Sequence, residues 1–322
     1  MNTIRMKKHI QALFLIIIFF PIAHIYSQQE PHFTHNMFNN IFYNPGFAGS
    51  IGGICATGLA RQQWVGFQDA DGYDIAPNTY TVSIHSPLDF LHGGVGLNVT
   101  SDKLGFQSDI DAKIMYAFRM DLGMGNLGIG AQLDFFNGTM DLAKLDEGSE
   151  SPGQDNLLQG GKQTDMVLDF GFGLQYHVPE KFYVGIASNR ILESSSSTFN
   201  YKYKRHYFLT GGYDWQLPNN PSFIIEPSLH VKSDAVKHDF DLAVLLKYNN
   251  KVWGGVSYSN FGVMDPIAVL LGLQVKDIRI SYAYTIPTSA IGSGGSHEVM
   301  VGYCFKIDFE KGRRSYRNTR FL

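Results

Sequence analysis

The chain has 322 residues with 34 Gly, 14% aromatic and only 17% charged residues, which describes a Gly- and aromatic-rich β protein rather than an α/β enzyme. A formal net charge of -3 offers nucleic acid nothing to hold. Mean hydropathy is near zero at -0.10, as expected when each strand alternates apolar and polar residues instead of forming one apolar helix.

The first 27 residues carry Arg5, Lys7 and Lys8, then an apolar run over 12–20, then Ile25, Tyr26 and Ser27. This is the pattern of a signal peptide cleaved after Ser27. The apolar run is short for a membrane span, and no other stretch is long enough to be a membrane helix. Its removal takes three basic and no acidic residues, leaving 23 Lys and Arg against 29 Asp and Glu, about -6.

Residues 28–52 follow, and 30–50 are dense in Asn, Gly and aromatics with neither helical nor strand periodicity. Such a segment needs outside support, so it reads as an N-terminal element on or inside a β-barrel. Beyond it the chain alternates. Over 106–118, Phe106, Ile110, Ile114, Tyr116 and Phe118 share one face with Ser108 and Ala112, while Gln107, Asp109, Asp111 and Lys113 take the other. The same split recurs over 166–177 and 239–248.

Strands are predicted over 54–64, 78–86, 93–100, 106–119, 126–137, 165–178 and 181–189. Seven more follow over 201–215, 222–232, 236–248, 252–259, 267–275, 277–285 and 297–307. The total is fourteen, an even number, with twelve or sixteen also open. The connections segregate by length. All the long ones, 65–77, 138–164, 190–200 and 286–296, fall at one end, as the outer loops of an outer-membrane barrel do. Hydrocarbon supplies no hydrogen-bond partners, so the sheet must close and its first and last strands must pair.

The predicted fold is therefore all-β. One transmembrane antiparallel β-barrel of about 14 strands spans 53–307, between the irregular segment and a basic tail at 308–322 that carries Lys311, Arg313, Arg314, Arg317 and Arg320. Strand parity puts the N- and C-termini in the periplasm. Tyr116, Tyr176, Tyr248, Tyr258, Tyr282, Tyr284, Trp64, Trp215 and Trp253 lie near strand ends and suggest interfacial girdles. Inward His177, Glu226, His230, Lys232, Arg279 and Glu298 either line a channel or pair into a plug.

Patterns that would carry chemistry are thin. Asp109 and Asp111 are one pleat apart on a wet face, as are Ser83 and His85, and neither pair comes with an orienting group or an oxyanion hole. Asp69, Asp71 and Asp74 surround Gly72 without the spacing of a calcium loop. No catalytic, cofactor or metal residue is assigned, and no cofactor is expected. Cys55 and Cys304 fall in the first and last strands, which closure sets side by side. Either a seam disulfide or two separate buried thiols can result.

A family resemblance rests on these residues. Glu30-Pro-His-Phe-Thr, Met37-Phe-Asn and Asn44-Pro-Gly-Phe-Ala-Gly-Ser resemble the opening motif of the PorP/SprF outer-membrane proteins of Bacteroidetes type IX secretion and gliding motility. Arg61, Gln63, Trp64, Gly66 and Phe67 resemble that family's R-x-Q-W-x-G-F. Pro77 and Thr79, then Gly94, Gly96, Leu97, Asp102 and Gly105, and finally His297 and Glu298, fit its later motifs. Glu30 stands where Asp is usual, and Gly46-Phe47 where Ala-Tyr is usual.

The resemblance implies a non-enzymatic accessory of secretion in the outer-membrane lipid. It would help export or surface-anchor a large secreted adhesin through the adhesin's C-terminal domain. Implied neighbours are the type IX translocon, a periplasmic ring and peptidoglycan-binding lipoproteins. A passive pore for small solutes is the alternative. Candidate contact surfaces are the loops 65–77 and 138–164 for a secreted partner, and residues 30–50 with the basic tail for the periplasmic machinery. Candidate residues for partner binding or a plug are Phe33, Met37, Phe38, Asn39, Asn44, Pro45, Phe47, Arg61, Trp64 and Phe67.

Overall fold

A computed structural model describes residues 30–306 apart from 70–71, 73, 143–160, 197, 199–200, 261–264, 290 and 292. The predicted signal peptide and basic tail lie outside these residues, as do parts of the acidic loop at 69–74. The chain divides after Glu30, and the unit described here begins at Pro31.

Fourteen strands among the described residues form one closed antiparallel sheet. They are β1 (Gly53–Gln62), β2 (Asn78–Leu88), β3 (Gly93–Leu104), β4 (Gln107–Leu122), β5 (Gly125–Asp141), β6 (Lys162–Val178) and β7 (Phe182–Asn189). The ring continues through β8 (His206–Tyr213), β9 (Phe223–Ser233), β10 (His238–Tyr248), β11 (Val252–Ser259), β12 (Ile267–Val275), β13 (Ile278–Thr285) and β14 (Ser296–Lys306). Each strand pairs with its sequence neighbours, and β1 pairs with β14 from Gly53↔Lys306 to Gln62↔His297, so no edge is left where the barrel closes. No described helix is long and apolar enough to cross a membrane; the strands supply the crossing.

The period-two alternation decides which way each side chain points. On β4, Ile110 and Ile114 are 52% and 53% exposed on the outer wall, whereas Lys113 and Met115, in the opposite phase, are almost fully enclosed. The oily face therefore looks outward and the wet face inward, the inverse of a soluble β-sandwich. Most turns at the β1 start are short. The β10–β11 turn, 249–251, places Asn249 and Asn250 at φ 49° and 54°, in the left-handed region that asparagine tolerates better than most residues.

Several boundaries differ from the sequence expectation. The first strand ends at Gln62 rather than 64. The eighth begins at His206 rather than 201, because Tyr201–Lys202 pairs with Ser195–Ser196 in a separate small hairpin. β5 and β6 extend past their predicted ends, to Asp141 and Lys162, because their ladder continues through polar residues where apolar alternation has stopped. Trp253 is not a girdle residue. It points into the lumen, 4% exposed, where a tryptophan ring finds a packing partner.

Candidate functional site

Residues 31–49 occupy the lumen. The segment folds as three single turns, a 3-10 turn at Asn36–Phe38, α1 at Asn40–Tyr43 and a second 3-10 turn at Pro45–Phe47. Turns this short leave most of their backbone groups unsatisfied, and asparagines repair the shortfall. Asn36 Nδ2 donates to the Phe33 carbonyl and Asn40 Nδ2 to that of Met37. Asn44 caps the last turn by accepting from Gly46 N–H at 2.8 Å, with Pro45 in the first position where no N–H is needed.

The segment runs the length of the lumen. Its beginning lies beside Arg61 near the end of β1 and Glu298 near the start of β14, at the long-loop end of the barrel. Its last residues reach Gly94 and Pro87 at the opposite end, where β1 starts. The sequence left open whether it plugs the lumen or docks elsewhere; its fixed contacts are with the inner wall.

Glu298 is the anchor at the long-loop end. Its carboxylate accepts from Thr34 N–H at 2.9 Å, His35 N–H at 2.8 Å, His35 Nδ1 at 2.6 Å and Arg61 Nη1 at 2.9 Å. Arg61 also donates to Thr34 Oγ1, and His35 Nε2 lies 2.7 Å from Ser281 Oγ. All of these groups are removed from water, so each charge and donor depends on the others. His32 meets Asp241 of β10 at 3.2 Å.

Midway, apolar side chains radiate in three directions. Phe33, Phe42 and Tyr43 pack on Leu59, Phe208 and Met300. Met37 packs on Leu245, Trp253 and Leu270, and Ile41 with Ala48 packs on Met115 and Ala117. Phe38 bridges the first two groups and sits 5.5 Å from the Trp253 ring, with the Arg279 guanidinium 5.3 Å from its own centroid. The Lys113 ammonium lies 4.6 Å from the Phe42 ring. Lys113 and Arg279 of the inner wall are thus seated on aromatic faces of the plug instead of facing an aqueous channel.

At the far end Asn44 Nδ2 reaches the Leu174 carbonyl at 2.9 Å and Gln175 Oε1 at 3.1 Å, tying the plug to β6. Glycine makes this approach feasible. A Cβ on Gly130 would strike the Pro45 and Gly46 backbone, and one on Gly94 the backbone of Ala48 and Gly49. Part of the glycine content of the chain is therefore a clearance track for the plug.

Of the ten candidate residues, Phe33, Met37, Phe38, Asn39, Asn44, Pro45, Phe47 and Arg61 come together in this interface. Asn39 accepts from Ser83 Oγ, and Phe47 stacks edge-on with His85 at 5.4 Å. Trp64 and Phe67 do not join them. They form their own edge-to-face pair at the long-loop rim, where Trp64 N–H donates to Ser296 Oγ and Val65 N–H to the Gly295 carbonyl across the seam. Ser83 and His85 are spent on plug contacts, and Asp109 and Asp111 on Gln107 and Lys113. Among the described residues no group of three His, Cys, Asp or Glu could hold a metal ion. Cys55 and Cys304 are register partners, and a disulfide joins them across the seam with Cα atoms 4.1 Å apart.

The role of Glu298 was not legible as such. Its inward phase was visible, but no spacing rule links position 298 to residues 34, 35 and 61. Ser281 carried no signal.

Residues 25–303 match the family described as Type IX secretion system membrane protein PorP/SprF. No curated protein matches. Among solved structures, the chain is similar to a TodX deltaS2S3 mutant monoaromatic hydrocarbon channel at 13% identity and TM-score 0.51, covering 83% of this chain and 94% of that one. It is also similar to the Acinetobacter baumannii outer membrane protein Omp33 at 8% identity and TM-score 0.45, covering 80% and 100%. At such identities the first likeness is one of fold, an outer-membrane barrel.

Proposed function

The chain belongs to the PorP/SprF family of type IX secretion system membrane proteins, and from that premise we propose that it is a non-enzymatic accessory that binds a secreted protein at the outer membrane. The secreted protein is a large adhesin, held through its C-terminal domain and exported or anchored at the surface with this barrel as its partner. Translocon subunits and the periplasmic ring or its lipoproteins are the neighbours on the inner side.

The observation that carries this reading is the occupied lumen. A passive pore needs a wet path, whereas here the inner wall donates to, accepts from and packs against residues 31–49 along the barrel length. A barrel filled this way serves better as a rigid platform whose loops and rims do the binding.

The test is affinity purification in mild detergent from the native outer membrane, followed by mass spectrometry. Retention of a large secreted adhesin or type IX components supports the proposal. Recovery of the barrel alone after crosslinking in cells, together with ion conductance of the wild type in planar bilayers, would replace it with the pore.

A further inference from the structure

β6 is 17 residues long and β7 only eight, and the two pair along Phe172–Val178 alone. Residues 162–171 thus have β5 on one side and, among the described residues, no β7 strand on the other. A strap formed by the described residues of this connection, 190–196, 198 and 201–205, lies along this edge instead. It gives the edge one backbone–backbone hydrogen bond among the described residues, from Ile191 N–H to the Phe170 carbonyl at 2.9 Å.

Two carboxylates stand in for the missing strand's carbonyls. Asp169 accepts from the N–H of its neighbour Phe170 at 2.7 Å and from Leu192 N–H and Ser194 N–H at 2.9 and 3.0 Å. Asp165 accepts likewise from Met166 N–H at 2.9 Å, and from the Ser196 hydroxyl and Thr198 N–H. The Ser194 hydroxyl donates to the Leu168 carbonyl at 2.7 Å. On the outer face Met166, Leu168 and Phe170 remain exposed. The root of the strap is pinned more firmly, with Tyr203 4.7 Å from Phe136 and the Arg190 guanidinium over both rings.

A strand edge is a template for another strand, and a cover held by side chains can leave it without disturbing the β5–β6 ladder. We propose that the β6 edge is where an extended segment of the secreted partner adds as a strand, displacing the strap. This rests on the reading that the barrel binds a secreted polypeptide, and it specifies the chemistry. The added strand alternates apolar side chains, outward beside Met166, Leu168 and Phe170, with basic or hydroxyl side chains inward. The inward set replaces the donors that Asp165 and Asp169 lose when the strap departs.

The probe is p-benzoylphenylalanine at Met166 in native membranes, with Val82 on the outer face of β2 as the control position. Beside it stands a locked strap, Asp165→Cys with Ser196→Cys under oxidation, compared with Asp165→Cys alone; heat-modifiable migration on gels verifies that each barrel is folded. The expected result is a crosslink from Met166, absent at Val82, to a secreted polypeptide whose attached peptide alternates in this way, reduced at least tenfold by the lock. Crosslinks confined to the strap, or unaffected by the lock, while the secreted protein still co-purifies, would overturn the edge and leave the binding role standing. If no secreted polypeptide is retained by the wild type or any variant, the binding role fails and the edge fails with it.

Discussion

Removing the Glu298 carboxylate should release the long-loop end of the plug. In Glu298→Ala, the backbone N–H groups of Thr34 and His35 and the His35 ring lose their acceptor, and Arg61 loses its carboxylate partner. Orphaning a buried backbone donor costs about 1–3 kcal/mol, and leaving one member of a buried ion pair alone about 3–5 kcal/mol. Water reaching the gap offsets part of both, so about 4 kcal/mol is a reasonable net, or roughly a thousandfold at 1.4 kcal/mol per decade. Most of this falls on plug docking, since the strand ladders are untouched. Hydrogen exchange in residues 33–43 should therefore accelerate by two to three decades while the strands keep their protection. Pairing Glu298→Leu with Arg61→Leu should cost less than Glu298→Leu alone, because no buried charge is then left over. Exchange in 33–43 unchanged within about tenfold in Glu298→Ala would refute the anchoring argument.

Three further outcomes are expected. Cys55→Ser removes a crosslink spanning 249 residues of sequence, worth about 5 kcal/mol in the loop-closure account, so the melting temperature in detergent should fall; two free thiols titrated in wild type trapped with a thiol blocker would contradict the seam disulfide. Gly130→Val should push Pro45 and Gly46 off β5 at an overpacking cost of about 1–3 kcal/mol, seen as bilayer conductance absent from wild type; a silent variant with native stability would show the clearance is not needed. Pro31→Cys, with Cys55 and Cys304 changed to Ser, should react with an impermeant maleimide from the long-loop side and not from the other, while Gly52→Cys should show the reverse preference; equal reactivity would contradict the path of the segment.

The sequence determined what is local. Period-two alternation is a property of each strand by itself, so Ile110 against Asp111 already told oil from water, and fourteen strands with loops sorted by length followed from counting. That residues 30–50 lacked any period showed that they needed support from elsewhere. What supports them was decided only by closure. Glu298, Arg61 and Thr34 meet because the β1–β14 seam sets Arg61 opposite Glu298 and because the lumen is narrow enough for a thin segment to touch opposite walls. The same closure turned Cys55 and Cys304 into register partners. Trp253 was misread because a tryptophan near a strand end looks the same from sequence whether its face meets lipid or a plug. The inward glycines gave no hint of purpose until Pro45 and Gly46 lay against them, since clearance is a relation between surfaces far apart in the chain. Strand identity needs only neighbours in sequence, whereas plug contacts need the diameter and register of the whole barrel, which no single strand encodes.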